Sequence, residues 1–126
     1  MWSALIVAAP GDLRDGLQSL LTTIPGIGPI SQANDEPTAL RMIEQQSPDL
    51  VLLDFHIPGD NVPAVLERIK AEYPQTRSLV LADHVQQQRE AKSVAADVVV
   101  LKGFLAAKLV ETIMGLLPSA DDGTGS

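Results

Sequence analysis

Short apolar runs that alternate with amphipathic stretches are the feature that most constrains this chain. Residues 50–53 and 98–101 are apolar throughout, which is typical of strands buried on both faces of a parallel sheet. Between such runs, apolar residues recur at helical spacing, as Leu13, Leu17 and Leu21 do. Strands that alternate with helices predict βαβ units, and therefore an α/β fold whose parallel sheet is covered by helices on both faces.

The pattern predicts five strands and five helices. The strands are expected at residues 3–7, about 27–32, 50–53, 78–81 and 98–101. The helices are expected from about Asp12 onward, at about 37–45, from about 61–63 to just before Pro74, at about 85–94 and at 104–117. Asp12 is the predicted N-cap of the first helix, because it follows a Pro-Gly turn and its carboxylate can accept from helix N–H groups.

The length of 126 residues suits one domain. We expect this domain to span residues 1–118, and we expect residues 119–126, which are rich in Gly, Ser and Asp, to form a flexible tail or linker. The core is predicted to be aliphatic, since 45% of the residues are apolar but only 3% are aromatic. The absence of cysteine excludes disulfides and thiolate metal sites.

The net charge of −7 argues against nucleic-acid binding by this chain, because an acidic surface repels phosphate backbones. The N-terminus lacks a basic region, and the apolar run at residues 5–7 is too short for a signal or membrane segment. We therefore expect a cytoplasmic protein that does not associate with membranes.

One carboxylate directly follows an apolar strand. Asp54 ends the run at residues 50–53, and a Pro-Gly turn comes shortly after it. In open α/β sheets, ligands bind outside the carboxyl ends of the strands. Asp54 is therefore a candidate for a residue that binds a ligand or takes part in a reaction, rather than one that only packs in the core. The first strand, by contrast, ends in Ala8 and Ala9, where a partner acid would be sought.

The chain resembles the receiver domain of two-component response regulators, and among these the receivers that are joined to helix-turn-helix DNA-binding domains. The resemblance extends over residues 4–117 and is carried by residues 6–17, by residues 49–59, and by residues 72–81 together with 97–103. It implies a flavodoxin-like (βα)5 fold, a three-layer sandwich with a parallel five-stranded sheet in the order 2-1-3-4-5.

By this resemblance, Asp54 stands at the phosphoacceptor position of the family and Lys102 at the position of its strand-five lysine. Four other functional positions depart from the family pattern. Ala8 and Ala9 replace the acidic pair that binds metal, Ala82 replaces the hydroxyl residue that ends strand four, and Val99 replaces the aromatic switch residue. We therefore expect three properties to be weakened together: phosphoryl acceptance by Asp54, metal binding, and the conformational response to phosphorylation.

These departures change the predicted charge of the pocket. Phosphoryl transfer to a carboxylate needs charge neutralisation, which Mg²⁺ and a lysine normally supply. Three carboxylates and a lysine suit a divalent cation, but Asp54 and Lys102 alone sum to about zero. We therefore expect no cofactor, with Mg²⁺ binding weak or absent, and no catalytic residue. Asp54 and Lys102 are expected to form an ion pair with each other instead.

The leading hypothesis is an atypical receiver domain that is not an enzyme and that acts as a protein-interaction module in signalling, independently of Mg²⁺-dependent phosphorylation. The expected partners are a sensor kinase, an output protein, or an output domain in a longer chain, with a possible homodimer through helices 4/5 or 1/5. Two alternatives stay open. One is a phosphoaccepting switch that uses Asp54, and the other is a small α/β enzyme or ligand-binding domain, for which the sequence shows no nucleophile–base pair.

Two histidines and two further acids have structural explanations. His56 and His84 lie near predicted strand ends, close to Asp83, but their spacing matches no metal motif. They are predicted to be solvated loop residues. Asp12 and Asp15 belong to the first turn of the first helix, where acids cap the helix or interact favourably with its dipole.

Overall fold

The computed structural model describes residues 1–56, 62–93, 96–102 and 105–116. Its strands are β1 (Trp2–Val7), β2 (Ile27–Ala33), β3 (Leu50–Asp54), β4 (Arg77–Ala82) and β5 (Val98–Leu101). Its helices are α1 (Asp12–Thr22), α2 (Glu36–Gln46), α3 (Val62–Glu72), α4 (Val85–Ser93) and α5 (Leu105–Leu116). All ten predicted elements are therefore present. The predicted helix ends at residues 94, 104 and 117 and the predicted tail at 119–126 lie outside the described residues.

The five strands form one parallel sheet in the order β2-β1-β3-β4-β5, which confirms the predicted topology. The central strand β3 pairs with β1 on one side, where Ala4 faces Leu50, and with β4 on the other, where Leu53 faces Val80. Every residue of β3 is buried, because helices cover both faces of the sheet. Because all five strands run parallel, their C-terminal ends meet along one edge of the sheet, where the predicted site lies.

Side chains that alternate along β3 point into two separate apolar layers. Val51 and Leu53 belong to the layer that packs under α2, α3 and α4, and Leu50 and Leu52 belong to the layer under α1 and α5. The strand period of two directs successive side chains to opposite faces. No helix in the described ranges has the length and apolarity needed to cross a bilayer.

The N-cap of α1 is Gly11, and the prediction of Asp12 as the cap was wrong. Asp12 is the first helical residue, and no side chain caps this helix end. Gly11 has a φ of 154°, a conformation that residues with a Cβ rarely adopt, so the backbone requires glycine here. Asp12 and Asp15 are exposed acids in the first turn, where they interact favourably with the helix dipole.

A capping carboxylate is found at α2 instead. Asp35 precedes this helix and accepts a hydrogen bond from the backbone N–H of Thr38 at 2.8 Å. The hydrogen bonds from Thr38 hold the pKa of Asp35 below its ordinary value. The sequence prediction began α2 at Pro37 and did not use this residue, although Asp followed by Pro two positions later is a common helix start.

Two serine–aspartate pairs fasten the N-terminal ends of neighbouring strands. Asp49 Oδ2 accepts from the backbone N–H of Ser3 at 2.9 Å, and Asp97 Oδ2 accepts from that of Ser78 at 2.8 Å. The serine hydroxyls accept in return from the backbone N–H groups of Asp49 and Asp97. These pairs lie at the edge of the sheet opposite Asp54, so we assign them a structural role in strand register.

Candidate functional site

The ends of β3 and β5 bring the two predicted site residues together. Asp54 ends β3 with 12% of its side chain exposed, and Lys102 follows β5 with 24% exposed. Lys102 Nζ lies 2.8 Å from Asp54 Oδ1. The predicted ion pair between Asp54 and Lys102 is therefore present, because parallel strands deliver their carboxyl ends to the same edge of the sheet.

Asp83 is a third member of this cluster, and the sequence analysis did not place it there. It directly follows β4, which lies between β3 and β5 in the sheet. Asp83 Oδ1 lies 3.0 Å from Lys102 Nζ, so one ammonium group bridges two carboxylates. The signal was available: an acid that directly follows a predicted strand of the same parallel sheet reaches the same edge as Asp54.

The surroundings of Lys102 and Asp83 favour the charged forms of these two residues. Burial by itself lowers the pKa of Lys102, but the hydrogen bonds to Asp54 and Asp83 outweigh burial, and the pKa lies above its ordinary value. Burial raises the pKa of Asp83, yet the hydrogen bond and charge of Lys102, together with contacts from His56, bring it below its ordinary value. At neutral pH the lysine is therefore an ammonium and Asp83 a carboxylate.

His56 connects the cluster to α4. Its backbone N–H donates to Asp54 Oδ1 at 3.1 Å, and its ring Nε2 contacts Asp83 Oδ2 and, at 3.1 Å, Nε2 of Gln87. His56 lies in the turn after β3 with 56% of its side chain exposed, as predicted for a solvated loop histidine, and its contacts to Asp83 and Gln87 were not predicted. His84 is exposed. Within the described residues no group of three or more acids and histidines is arranged to hold a metal ion.

The four positions that the resemblance marks as departures lie at the ends of β1 and β4 and within β5. Ala8 is buried and Ala9 exposed just after β1, Ala82 is fully buried at the end of β4, and Val99 is 8% exposed in β5. None of these side chains carries an oxygen. Only two carboxylates therefore remain near Lys102 in the described part of the chain, and the ammonium group lies between them.

This arrangement does not fit Mg²⁺. The ion prefers octahedral oxygen ligands and needs carboxylate charge to hold it. Two carboxylates and one ammonium leave about one negative charge, rather than the zero expected from Asp54 and Lys102 alone. A cation at this place would have to displace Lys102 from both Asp54 and Asp83.

A shallow apolar groove runs beside β5, the edge strand of the sheet. It has a volume of about 310 Å³ and is lined by Gln88, Val99, Val100, Leu101 and Lys108. Gln88 belongs to α4 and Lys108 to α5, so the groove lies between these two helices.

Comparison with known proteins places these features in a family. The family model of the response regulator receiver domain matches residues 4–114. The chain is 32% identical over 103 residues to the transcriptional regulatory protein YhcZ of Bacillus subtilis, and 26% identical over 103 residues to the nitrate/nitrite response regulator NarL of Escherichia coli K12. These matches cover 79% and 80% of the chain and 48% of each relative, so the chain spans about half the length of the relatives.

Solved structures show the same fold. A two-component response regulator of the LuxR family from Aurantimonas sp. SI85-9A1 has a TM-score of 0.83 at 24% identity, with 92% of this chain and 84% of that chain covered. The family match, the sheet order and the position of Asp54 at the end of β3 agree with one another. The chain therefore belongs to the response regulator receiver domain family.

Proposed function

We propose that this receiver domain acts as a non-enzymatic, cytoplasmic protein-interaction module whose state does not depend on Mg²⁺-dependent phosphorylation of Asp54. The observation that carries the proposal is the position of Lys102 Nζ, 2.8 Å from Asp54 and 3.0 Å from Asp83. Lys102 neutralises part of the charge of the two carboxylates, so only about one negative charge remains to attract a divalent ion. Ala8 and Ala9 add no charge that would attract such an ion.

The partner surface that we propose is the α4–β5–α5 face. It contains the groove beside β5, and two apolar side chains on its flanking helices are exposed, Val85 by 49% and Met114 by 55%. The partners that fit a receiver are a sensor kinase, an output protein, an output domain in a longer chain, or a second copy of this domain. The acidic surface, with a chain charge of −7, argues against nucleic acid as a direct ligand of this domain.

An NMR titration with Mg²⁺ tests the proposal. We expect the amide signals of Leu53, Asp54 and Lys102 to show no saturable shift at millimolar Mg²⁺. The double variant Ala8→Asp/Ala9→Asp restores two acids at the end of β1 and is the matched control, for which saturable shifts are expected. Saturable shifts in the unmodified protein would contradict the proposal.

A phosphoaccepting switch is the second candidate, and the geometry of Asp54 favours it. The carboxylate lies at the carboxyl edge of the sheet with a lysine in hydrogen-bond contact, and 12% of its side chain is exposed to a donor. Mass spectrometry after incubation with a small phosphodonor and Mg²⁺ distinguishes the candidates, with Asp54→Asn as control. An adduct that maps to Asp54 and is absent from the variant supports the switch, whereas an unmodified protein supports the interaction module.

A further inference from the structure

Three consecutive glutamines lie in the first turn of α4, and the middle one is buried. Gln87 is 7% exposed, whereas Gln86 is exposed and Gln88 is half-buried. A buried amide that lacks hydrogen bonds costs free energy, so buried glutamines in folded proteins are normally hydrogen-bonded at both ends. The partners of Gln87 therefore reveal what this position does.

Two contacts fix the orientation of the Gln87 amide. The backbone N–H of Asp83 donates to Gln87 Oε1 at 2.7 Å, and Gln87 Nε2 lies 3.1 Å from His56 Nε2. A backbone N–H only donates, so the oxygen must face Asp83 and the NH₂ group must face the histidine. A flipped amide would place two donors against each other.

His56 Nε2 therefore faces two partners with opposite needs. The carboxylate of Asp83 contacts this nitrogen and needs a donor, whereas the NH₂ group of Gln87 needs an acceptor. One ring nitrogen carries either a proton or a lone pair. The ring thus has two states: Nε2–H bonds to Asp83, or the Nε2 lone pair accepts from Gln87.

The balance between these states depends on Lys102. Asp83 shares its charge between His56 and Lys102, and Lys102 also binds Asp54. When Lys102 leaves Asp83, the carboxylate loses its stronger cation and attracts the Nε2–H of His56 more strongly. Gln87 then has no acceptor at the ring, and the first turn of α4 loses a hydrogen bond.

We propose that Gln87 couples the state of the Asp54–Lys102–Asp83 cluster to helix α4 through His56. Gln87 is a positioning residue in this role, because it touches neither Asp54 nor Lys102 and acts through the histidine. The two-state element is the ring nitrogen of His56, on which both the cluster and the helix act. The inference goes beyond the proposed function, since it requires only that Lys102 leaves Asp83, whatever draws it away.

The test removes the Lys102 ammonium group and measures two responses: the position of the proton on the His56 ring and the stability of α4. In Lys102→Met, ¹⁵N NMR of the His56 ring at fixed pH is expected to show a shift toward the Nε2–H form. Amide hydrogen exchange in residues 85–93 is expected to rise about fivefold, the size of effect given by one lost hydrogen bond.

Matched variants in α4 decide whether Gln87 carries the coupling. In a Gln87→Met background, Lys102→Met is expected to leave exchange in α4 unchanged, whereas in a Gln86→Met background the rise is expected to persist. Gln87→Glu keeps the acceptor for Asp83 N–H but replaces the NH₂ group with an acceptor. It is expected to hold His56 in the Nε2–H form even with Lys102 present, and it keeps the test decisive if Gln87→Met does not fold. An equal exchange response in Gln87→Met and Gln86→Met, or a His56 ring state that neither Lys102→Met nor Gln87→Glu changes, would overturn the inference.

Discussion

Lys102 has two carboxylate partners, and this makes the three charged residues of the cluster unequal. If Asp54 is neutralised, Lys102 keeps Asp83 at 3.0 Å. If Lys102 is removed, two carboxylates face each other at the edge of the sheet with no ammonium between them. An unpaired, partly buried charge is costly, and adjacent like charges add to that cost.

A double-mutant cycle should therefore be asymmetric. We expect Lys102→Met to lower the free energy of unfolding by on the order of 1–4 kcal/mol, and Asp54→Asn to lower it by less because Asp83 remains as a partner. The double variant should show a coupling energy above about 0.5 kcal/mol. Urea unfolding of the four proteins measures each value. Additive effects would mean that water solvates the two charges independently.

The pH dependence of stability follows from the two shifted pKa values. The pKa of Asp83 is lowered on folding, so its contribution is complete above its unfolded value of about 3.9 and is lost as pH falls through the lower folded value. The pKa of Lys102 is raised, so its contribution is complete below about 10.4 and is lost as pH rises through the higher folded value. Between these limits, neither group should change stability.

This prediction is checked by comparing the unfolding free energies of the native protein and Lys102→Met from about pH 3 to about pH 11. The difference between the two proteins should be largest and flat in the middle of the range, and it should shrink at both ends. Because 35% of the Asp83 side chain is exposed, screening by solvent should make the decrease at low pH small. A difference that is constant across the range would contradict the assignment of both shifts to this contact.

At the scale of elements, α5 shows how the position of a residue on the apolar stripe determines its contribution to the free energy of unfolding. Leu109 and Ile113 are fully buried against the layer shared with α1, whereas Met114, the next residue along the helix, is 55% exposed. We expect Leu109→Ala to lower the unfolding free energy by about 2–5 kcal/mol, through lost burial and the cavity left behind. Met114→Ala on the same helix is the control and should stay within about 0.5 kcal/mol. Equal losses measured in urea would show that α5 does not pack as the structure describes.

The helices and strands were predictable because the spacing of apolar residues in the sequence matches the helical or the strand period. Fully apolar runs identify β3 and β5, and the stripe that includes Leu109 identifies α5. Capping and side-chain networks were less predictable, since they depend on backbone angles and on neighbours distant in sequence. The N-cap of α1 is Gly11, which is set apart by a backbone φ angle that the sequence pattern does not show. Gln87 is buried in a helix with few apolar residues, so no hydrophobic periodicity indicates its burial. Asp54 followed from its position at a strand end and Lys102 from the family resemblance, whereas Asp83, which directly follows β4 between them, was overlooked.

At the scale of the whole molecule, ligand binding and stability are linked, and this linkage offers a test that needs no site-specific probe. A ligand that binds only the folded state stabilises it by RT ln(1 + [L]/Kd). A site with a Kd of about 0.1 mM would therefore raise the unfolding free energy by about 2.7 kcal/mol at about 10 mM Mg²⁺. For a domain of this size, such a gain would raise the melting temperature by several degrees.

We expect Mg²⁺ to leave the melting temperature of this domain unchanged, because Lys102 already lies between Asp54 and Asp83 and the end of β1 contributes only Ala8 and Ala9. The Ala8→Asp/Ala9→Asp variant should behave differently: less stable without metal, since it adds two acids beside an acidic cluster, and stabilised as Mg²⁺ is added. Calorimetry at matched ionic strength separates this specific effect from general screening. A rise in the native protein that saturates with Mg²⁺ would show that the ion displaces Lys102, and it would favour the phosphoaccepting switch over the metal-independent interaction module.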